Sequence, residues 1–550
     1  MPDFCPVRTC SQSTIEAGPT TLERQKSLEH SGRTNSTLPI MLKWAIFVSC
    51  ASLSVASIHW PDIRMERLDA LLWEESLLTQ IINNCPVRSN STIAAQWVRL
   101  AYHDMSTHNV DDGTGGLDAS IAYELDRAQN IGSGMAGSVS DLIAFTDPGA
   151  TFSDVIAMGA ILGVAACGGP LIPFRGGRVD ATAAGPPTVP EPHQDLASHT
   201  ESFRRQGFTR SEMIALVACG HTLGGVRRQD FPDVIQSPGP ANEVIPFDGT
   251  NSFDNVVVTG YLQGTTANPL AVGPNSTTNS DLRLFLSDGN VTMQNELFER
   301  MLNTVPKDVQ LTDVIEPIQY KVLPTRFFVG KDGLFRLTTG LRAVGVNPSR
   351  TVALYWADRE GTACPTTGCS MPPISAPGLA ARGSFMTVRR GLTGLPTYRF
   401  DARLNTTNSI SKFWFKVDEG DGSDPVLVDN DGAGLPIAQD DILFDTGRSS
   451  FFMNSNDLML NIVIAVRTDD TAAKVTVSRY VRGTPSDPVP KREVVDLSAD
   501  ARFPPISGYT FFSRDFISDT GLKWMDIKAE VGGKTFSEKD VEIIVPIGAD

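Results

Sequence analysis

The stretch "RLAYHDMSTHNVDDGTGGLDAS", residues 99–120, sets an arginine four positions before a histidine and follows them with a glycine-punctuated, aspartate-rich loop. On a helix, Arg99 and His103 share one face. Ile93, Trp97, Val98, Leu100 and Tyr102 give the same segment an apolar side, so the helix belongs in the interior. A buried arginine needs a partner or a task. Taken alone, the pair reads as a structural arginine facing a carboxylate, beside a satisfied core histidine.

Outward from this stretch, residues 62–310 carry helical periodicity. "RLDALLWEESLLTQII", "NSTIAAQWVRLAYHD" and the almost wholly apolar "SDVIAMGAILGVAA" read as helices. "TRSEMIALVACGH" opens with a capping box of Thr209 and Glu212. A loop rich in glycine and proline, "GGPLIPFRGGRVDATAAGPPTVPEPH", separates the last two. After residue 311 the texture changes to short β-branched and aromatic runs such as "TVALYWADR", "ISKFWFKVD" and "LMLNIVIAVRTDD". These predict an all-β, sandwich-like region over 311–550, in one or two modules. No P-loop, dinucleotide fingerprint, HExxH or internal repeat is present.

The chain has 550 residues, 41% of them hydrophobic and 20% charged, with a formal net charge of -16. That acidity argues against a nucleic-acid partner. Residues 1–40 are polar, with the composition of a disordered extension. "MLKWAIFVSCASLSVASIHWP" then follows the order of a signal peptide, with a lysine, an apolar run and small residues near Ala56. Two readings stand open: a signal peptide over 41–56, with translation starting at Met41, or a membrane anchor over 41–58. The apolar run falls short of the roughly 20 residues that a span prefers, which favours secretion. Within the chain that remains, Cys364 and Cys369 can close a local disulfide and Cys85 and Cys167 a long one, leaving Cys219 inside an apolar run. Asn90, Asn275, Asn290 and Asn405 stand in glycosylation triplets.

Several further segments change the meaning of the Arg99–His103 pair. "ELDRAQN" places Glu124 six residues before Asn130, "ALVACGHT" sets His221 at the end of an apolar helix, and "NSDLRLFLSD" supplies Asp281. In this order the residues resemble the plant, fungal and bacterial haem peroxidase superfamily, its secreted fungal members above all, over residues 65–305. The resemblance implies a mainly α haem peroxidase domain within 62–310. It implies haem b held by His221 as the iron ligand, with Asp281 behind that ring. His103 would be the acid–base residue, Asn130 would fix its tautomer with Glu124 behind, and Arg99 would stabilise developing charge. Tyr102 takes the aromatic position over the haem, Phe247 lies in the proximal pocket, and Arg227 is a candidate for a haem propionate. "RGGRVDA" is similar to an Arg-x-Asp segment near the haem.

The resemblance also gives the loop a role. Asp104, Asp118, Ser120 and the carbonyl of Gly116 match a calcium site of hard oxygen ligands. A second calcium would use Thr222, Asp248, Thr250 and Asp254, where "FDGTNSFD" is one residue shorter than the fungal spacing. Other positions depart from specialised relatives. Thr92 and Gln96 stand where manganese oxidisers have carboxylates, Leu216 where a lignin-oxidising surface tryptophan would be, and Asp230 where an ascorbate-positioning arginine would be. What is left is oxidation of small phenols or aromatic amines by hydrogen peroxide, at a site near "VPEPH". The rival readings are a secreted protein that binds polysaccharide or a cell surface and carries a degenerate peroxidase half, or a calcium-dependent adhesive protein.

Overall fold

The most apolar segment of the chain becomes the centre of the helical half. Residues Phe152–Ala166 form one helix, buried along nearly its whole length. The computed structural model describes residues 59–287, 297–361, 369–375, 383–517 and 523–545. The N-terminal extension, the leader or anchor, Asn290 and Cys364 lie outside them. No helix among the described residues is long and apolar enough to cross a membrane.

The helices in chain order are α1 (Ile63–Trp73), α2 (Leu77–Ile82), α3 (Ile93–Met105), α4 (Ser133–Ile143), α5 (Phe152–Ala166) and α6 (Leu196–Arg205). Then come α7 (Arg210–Gly220), α8 (Val256–Leu262), α9 (Pro269–Val272), α10 (Ser280–Leu286), α11 (Leu297–Leu302) and α12 (Phe385–Arg389). The single helix expected over "RLDALLWEESLLTQII" is broken between α1 and α2. Ser76 accepts from Thr79 N–H and Thr79 returns a bond to Ser76 N–H, a capping box that restarts the helix. The helix of "NSTIAAQWVRLAYHD" starts late for a similar reason. Thr92 accepts from Ala95 N–H as N-cap, and residues 91–92 pair with 87–88 as a short ribbon. α3 packs closely on α5 through Gly163, where a Cβ would stand 3.1 Å from Ala94 Cα.

Cys85 and Cys167 form a disulfide, Cα–Cα 4.8 Å, that ties the loop after α2 to the end of α5. Cys369 is disulfide-bonded, and Cys219 is a buried thiol on α7. Asn90 and Asn405 are exposed.

Among the described residues, every strand pair of the C-terminal half is antiparallel. One sheet is centred on Phe335–Ala343, paired with Thr397–Leu404, Tyr320–Val322 and Arg326–Val329. A second is centred on Lys412–Asp418 and Thr351–Ala357. Alternation explains their packing: Tyr398, Phe400, Ala402 and Leu404 share a core with Phe413, Phe415 and Val417, while residues between them point out. A third sheet of eight strands runs from Ile442–Phe444 to Lys534–Glu542. Its long strand Asp457–Arg467 reads as an apolar run because both faces are covered. Val463 and Ala465 join the sandwich core, and Leu460, Ile462, Ile464 and Val466 join a second core.

One segment expected to be β is not. α12 lies within the C-terminal half in sequence, yet its Met386 belongs to the helical core. Ser384 Oγ donates to Leu72 O at 2.7 Å and Thr387 Oγ1 to Trp73 O at 2.5 Å. Arg389 donates to Ala165 O and Gly169 O. These donors tie the segment to the C-terminal ends of α1 and α5, where Trp73 O and Ala165 O also accept backbone N–H groups.

A buried ionic cluster makes a second junction. Asp69 of α1 is fully buried and meets Arg342 Nη1 at 2.5 Å and Lys321 Nζ at 3.0 Å. Glu74 takes Arg342 Nη1 at 2.8 Å and Lys321 Nζ at 3.0 Å. Burial pushes the Asp69 carboxyl up, but Lys321 and Arg342 outweigh it and hold the group below the usual range. Breaking such a pair from one side leaves an uncompensated buried charge, at a cost of about 3–5 kcal/mol. Removing both cations, Arg342→Leu together with Lys321→Met, should therefore lower unfolding free energy by about 3 kcal/mol or more in a denaturant titration. A loss under ~1 kcal/mol, the range of a solvated surface pair, would show that the cluster does not hold the halves together.

Candidate active site

α3 and α7 contribute to one cavity of about 720 Å³. Arg99, Tyr102 and His103 line it from α3, and Leu216, Gly220 and His221 from α7 and its end. Val189 to His193, the loop "VPEPH", also line it.

His103 has one ring nitrogen committed. Its Nδ1 lies 2.8 Å from Asn130 Oδ1. The Asn130 amide is oriented from behind, because Nδ2 donates to Glu124 O at 3.0 Å and to Glu124 Oε2 at 3.5 Å. Its oxygen must then accept, which puts the proton of a neutral His103 on Nδ1 and leaves Nε2 as a bare acceptor. Glu124 is held in turn by Gly185 N–H at 2.7 Å and Arg127 at 2.8 Å. Removal from water, helped by the Arg99 charge, pulls the His103 pKa down to about 3, against a smaller upward effect of Asn130. The ring is a neutral base across the physiological range.

Arg99 is anchored by carbonyls. Its Nη2 donates to Gln129 O at 2.8 Å and to Ile131 O at 3.4 Å, and its guanidinium lies 5.6 Å from the Phe231 ring centroid. Burial lowers its pKa to about 10, with Asp230 opposing, so it stays charged at neutral pH. Tyr102 stacks on Phe203 at 6.0 Å and stands edge-on to His103. Burial raises its hydroxyl far above the ordinary phenol value.

His221 follows directly on α7 and is oriented by two contacts. Its Nδ1 lies 2.8 Å from Asp281 Oδ2, and its ring stacks on Phe247 at 4.1 Å with 15° between planes. The Nε2 of His221 is left for the cavity. Asn268, which the sequence did not single out, donates to the same Asp281 oxygen at 2.7 Å.

The two oxygen-rich clusters also form. Asp104 is fully buried; it accepts from Ala119 N–H at 2.7 Å and Ile121 N–H at 2.9 Å, with Ser120 Oγ at 3.5 Å. Asp118 accepts from Ser120 N–H at 3.1 Å. Burial, then the Asp118 charge, push Asp104 well above the usual carboxylate range. The carbonyl of Gly116 lies 3.4 Å from Thr107 Oγ1. Gly115 has φ +65°, and a Cβ on it would stand 2.4 Å from Thr107 O, so the turn excludes other residues. In the second cluster, Thr250 Oγ1 donates to Asp254 Oδ2 at 2.9 Å, with Asp248 Oδ1 3.2 Å away. Thr222 Oγ1 donates to Asp254 O at 2.7 Å. Asp248 Oδ2 is buried without a partner. Among the described residues no three His, Cys, Asp or Glu side chains converge as a metal cluster. A cation at either place would depend on neutral oxygens for half its ligands.

Some expected residues are occupied elsewhere. Arg227 lines the cavity, but its guanidinium donates to Asn242 O at 2.8 Å and Ser89 O at 2.5 Å and faces Asp230 at 3.4 Å. "RGGRVDA" does not reach the cavity wall. Arg178 pairs with Asp154 at 3.0 Å, and Asp180 accepts from Phe152 and Ser153 N–H at the start of α5. Thr92 is spent as the cap of α3, and Gln96 Oε1 accepts from Arg88 Nη2 at 2.6 Å.

Comparison with known proteins agrees with this geometry. The family described as "Peroxidase" matches residues 77–305. A "WSC domain-containing protein" of Arthroderma benhamiae is 34% identical over 349 residues, 59% of this chain and 46% of that protein. That match is longer than the family segment, so it includes residues outside it. "L-ascorbate peroxidase 5, peroxisomal" of Arabidopsis thaliana is 33% identical over 147 residues, 26% of this chain and 52% of the relative. "Cytochrome c peroxidase, mitochondrial" of Yarrowia lipolytica is 33% identical over 139 residues, 24% and 41% of the two chains. The chain thus spans about half the length of these curated relatives.

The His103 environment makes a pH statement. The folded pKa of about 3 lies below the ordinary histidine value of 6.5. Between those values the unfolded chain binds the extra proton, so this group lowers stability as pH falls from 6.5 toward 3. In the haem-free protein, the His103 ring resonance should stay in its neutral form at pH 5 by NMR. A titration midpoint near 6.5 would mean the ring is open to water.

Proposed function

Residues 77–305 belong to the plant, fungal and bacterial peroxidase superfamily, and we propose that the chain is a haem peroxidase that reduces hydrogen peroxide and oxidises small phenols or aromatic amines. The observation that carries this reading is a pair of histidines on one cavity, each with Nδ1 committed and Nε2 left over. The superfamily typically uses haem, and the donor set fits it: one imidazole nitrogen backed by a carboxylate, in a cavity large enough for a cofactor. His221 Nε2 would hold the iron. Haem b bound there supplies the redox chemistry, a two-electron reduction of peroxide balanced by two one-electron oxidations of donor molecules.

The protein's own part is proton handling and charge. His103 Nε2 takes the proton from the nearer peroxide oxygen and returns it to the departing one, as base and then acid. Asn130 keeps that nitrogen deprotonated by accepting from the other. Arg99 sets a fixed positive charge beside the breaking O–O bond. Asp281 keeps the His221 ring oriented and electron-rich. Donors would approach along the Val189–His193 loop. Thr92 and Gln96 offer no carboxylate for manganese, and Asp230 offers no cation for ascorbate.

Calcium belongs to the same proposal. Asp104 and Asp118, with Ser120 and the Gly116 carbonyl, would hold one ion. Thr222, Asp248, Thr250 and Asp254 would hold a second, for which the partnerless Asp248 Oδ2 speaks. Secretion is supported by the leader-like segment and by the Cys85–Cys167 disulfide, which suits an oxidising compartment. A polysaccharide or cell-surface role for the β half is supported by Tyr355 and Trp414. They are stacked at 6.0 Å on the sheet face turned away from the core, and both are partly exposed.

The visible spectrum tests the central reading. Purified protein should show a Soret band that shifts when peroxide is added, and His221→Ala should lose it. His103→Leu should keep the band but react with peroxide about 10²–10⁴-fold more slowly. A His103→Leu rate equal to that of the unaltered protein would end the acid–base assignment. Chelation tests the ion. Removing calcium should loosen the loop after α3, lower the melting temperature and slow the peroxide reaction, and adding it back should restore both. Active protein with no calcium by metal analysis would refute this.

A further inference from the structure

Asp281 sits between His221 and the rest of the fold. It is fully buried. Its Oδ2 accepts two hydrogen bonds, from His221 Nδ1 at 2.8 Å and from Asn268 Nδ2 at 2.7 Å. Its Oδ1 has Ser280 Oγ at 3.4 Å. Asn268 is also buried, and its amide cannot turn over. Its Oδ1 accepts from Leu270 N–H at 2.8 Å as N-cap of α9, whose first residue, Pro269, has no N–H to offer. With the oxygen spent on the helix, Nδ2 is the amide atom that faces the carboxylate.

We propose that Asn268 is a positioning residue for the proximal pair, its amide restraining the pull of Asp281 on His221. The proposal rests on His221 being the iron ligand. A carboxylate oxygen shared by two donors offers each less negative charge than it would offer one. The His221 ring is then polarised less through Nδ1 and gives less electron density through Nε2. The amide also fixes the carboxylate rotamer, so the strength of the His221–Asp281 bond is set by a third residue thirteen positions upstream of Asp281. Without the amide, the full charge of Oδ2 falls on His221. The ring becomes a stronger electron donor and favours the ferric over the ferrous state.

The test must separate this role from the helix cap. Asn268→Ser and Asn268→Thr both retain an oxygen able to cap α9. Neither carries an amide N–H to Asp281. In the haem-loaded variants the midpoint potential should move to more negative values, by about a tenfold change in the ferric-to-ferrous ratio, or ~59 mV for a one-electron couple. The iron–imidazole stretching frequency should rise in resonance Raman spectra of any haem-loaded fraction recovered, however small. The melting temperature of the haem-free variants should stay near that of the unaltered chain. In an Asp281→Ala background the Asn268→Ser shift should vanish, since the two act through one contact. An unchanged potential and stretching frequency, or a fall in melting temperature alone, would overturn the proposal and leave Asn268 as a helix cap. Those results, on protein whose haem is bound by His221, would leave the peroxidase reading intact. Failure of the unaltered protein to bind haem through His221 would overturn both.

Discussion

An imidazole inside a protein presents a defined atom to a cavity only when its other nitrogen is committed, and that constraint organises this site. His103 and His221 both commit Nδ1, at the same 2.8 Å. Their partners differ in charge. Asn130 is a neutral acceptor, and the nearest strong charge, Arg99, is of the wrong sign for a protonated ring, so His103 is a weak, neutral base. Asp281 is a carboxylate, which enriches the His221 ring. The same geometry with two acceptor chemistries yields one residue suited to moving protons and one suited to holding a metal. Each acceptor is then fixed in turn. Glu124 holds Asn130 and is itself held by Gly185 N–H and Arg127, and Asn268 holds Asp281 while capping α9.

The helical half does not contain all its own counter-charges. Asp69 and Glu74 lie on or beside α1, but the cations that neutralise them, Lys321 and Arg342, come from strands of the sandwich. The carbonyls that end α1 and α5 are met by Ser384, Thr387 and Arg389. A chain cut after the last of those helices would lose both cations and leave Asp69 and Glu74 without their charge partners. The strand half is therefore part of the helical half's folding energetics, whatever it binds.

The sequence made the site legible where spacing along one helix or a short motif sets the geometry. Arg99 and His103 are one turn apart, His221 ends an apolar helix, and the capping box of Thr209 and Glu212 is present as read. The change from helix to strand texture was legible for the same reason, since periods of 3.6 and 2 are local. What escaped was long-range. Asn268 looks like any asparagine before a proline until α9 brings it to Asp281. α12 is a five-residue helix in strand-like surroundings, and only its contacts with α1 and α5 explain it. Arg178 and Asp180 looked like cavity residues because of their motif. Burial against Asp154 and the start of α5 claimed them instead.

Asp104 shows how tightly the loop is bound to the helix that carries His103. It is the last residue but one of α3, at the end where the helix dipole is negative. A carboxylate there is opposed by the dipole, by burial and by Asp118. Two backbone N–H groups, from Ala119 and Ile121, answer part of that cost. They reach it because the chain turns back through Gly115, Gly116 and Ala119, all at positive φ. Neutral donors do not cancel a second carboxylate, and Arg178, whose charge reaches Asp104, is already paired with Asp154, so added positive charge, a proton or the cation proposed above, would ease the cluster. A proton would be held by one residue and leave the loop carbonyls outside the site. A cation would draw Asp104, Asp118, Ser120 and Gly116 together, and every ligand it gathers shortens the freedom of the turn that follows His103. The position of Asp104 directly after the histidine makes loop order and ring position one mechanical problem.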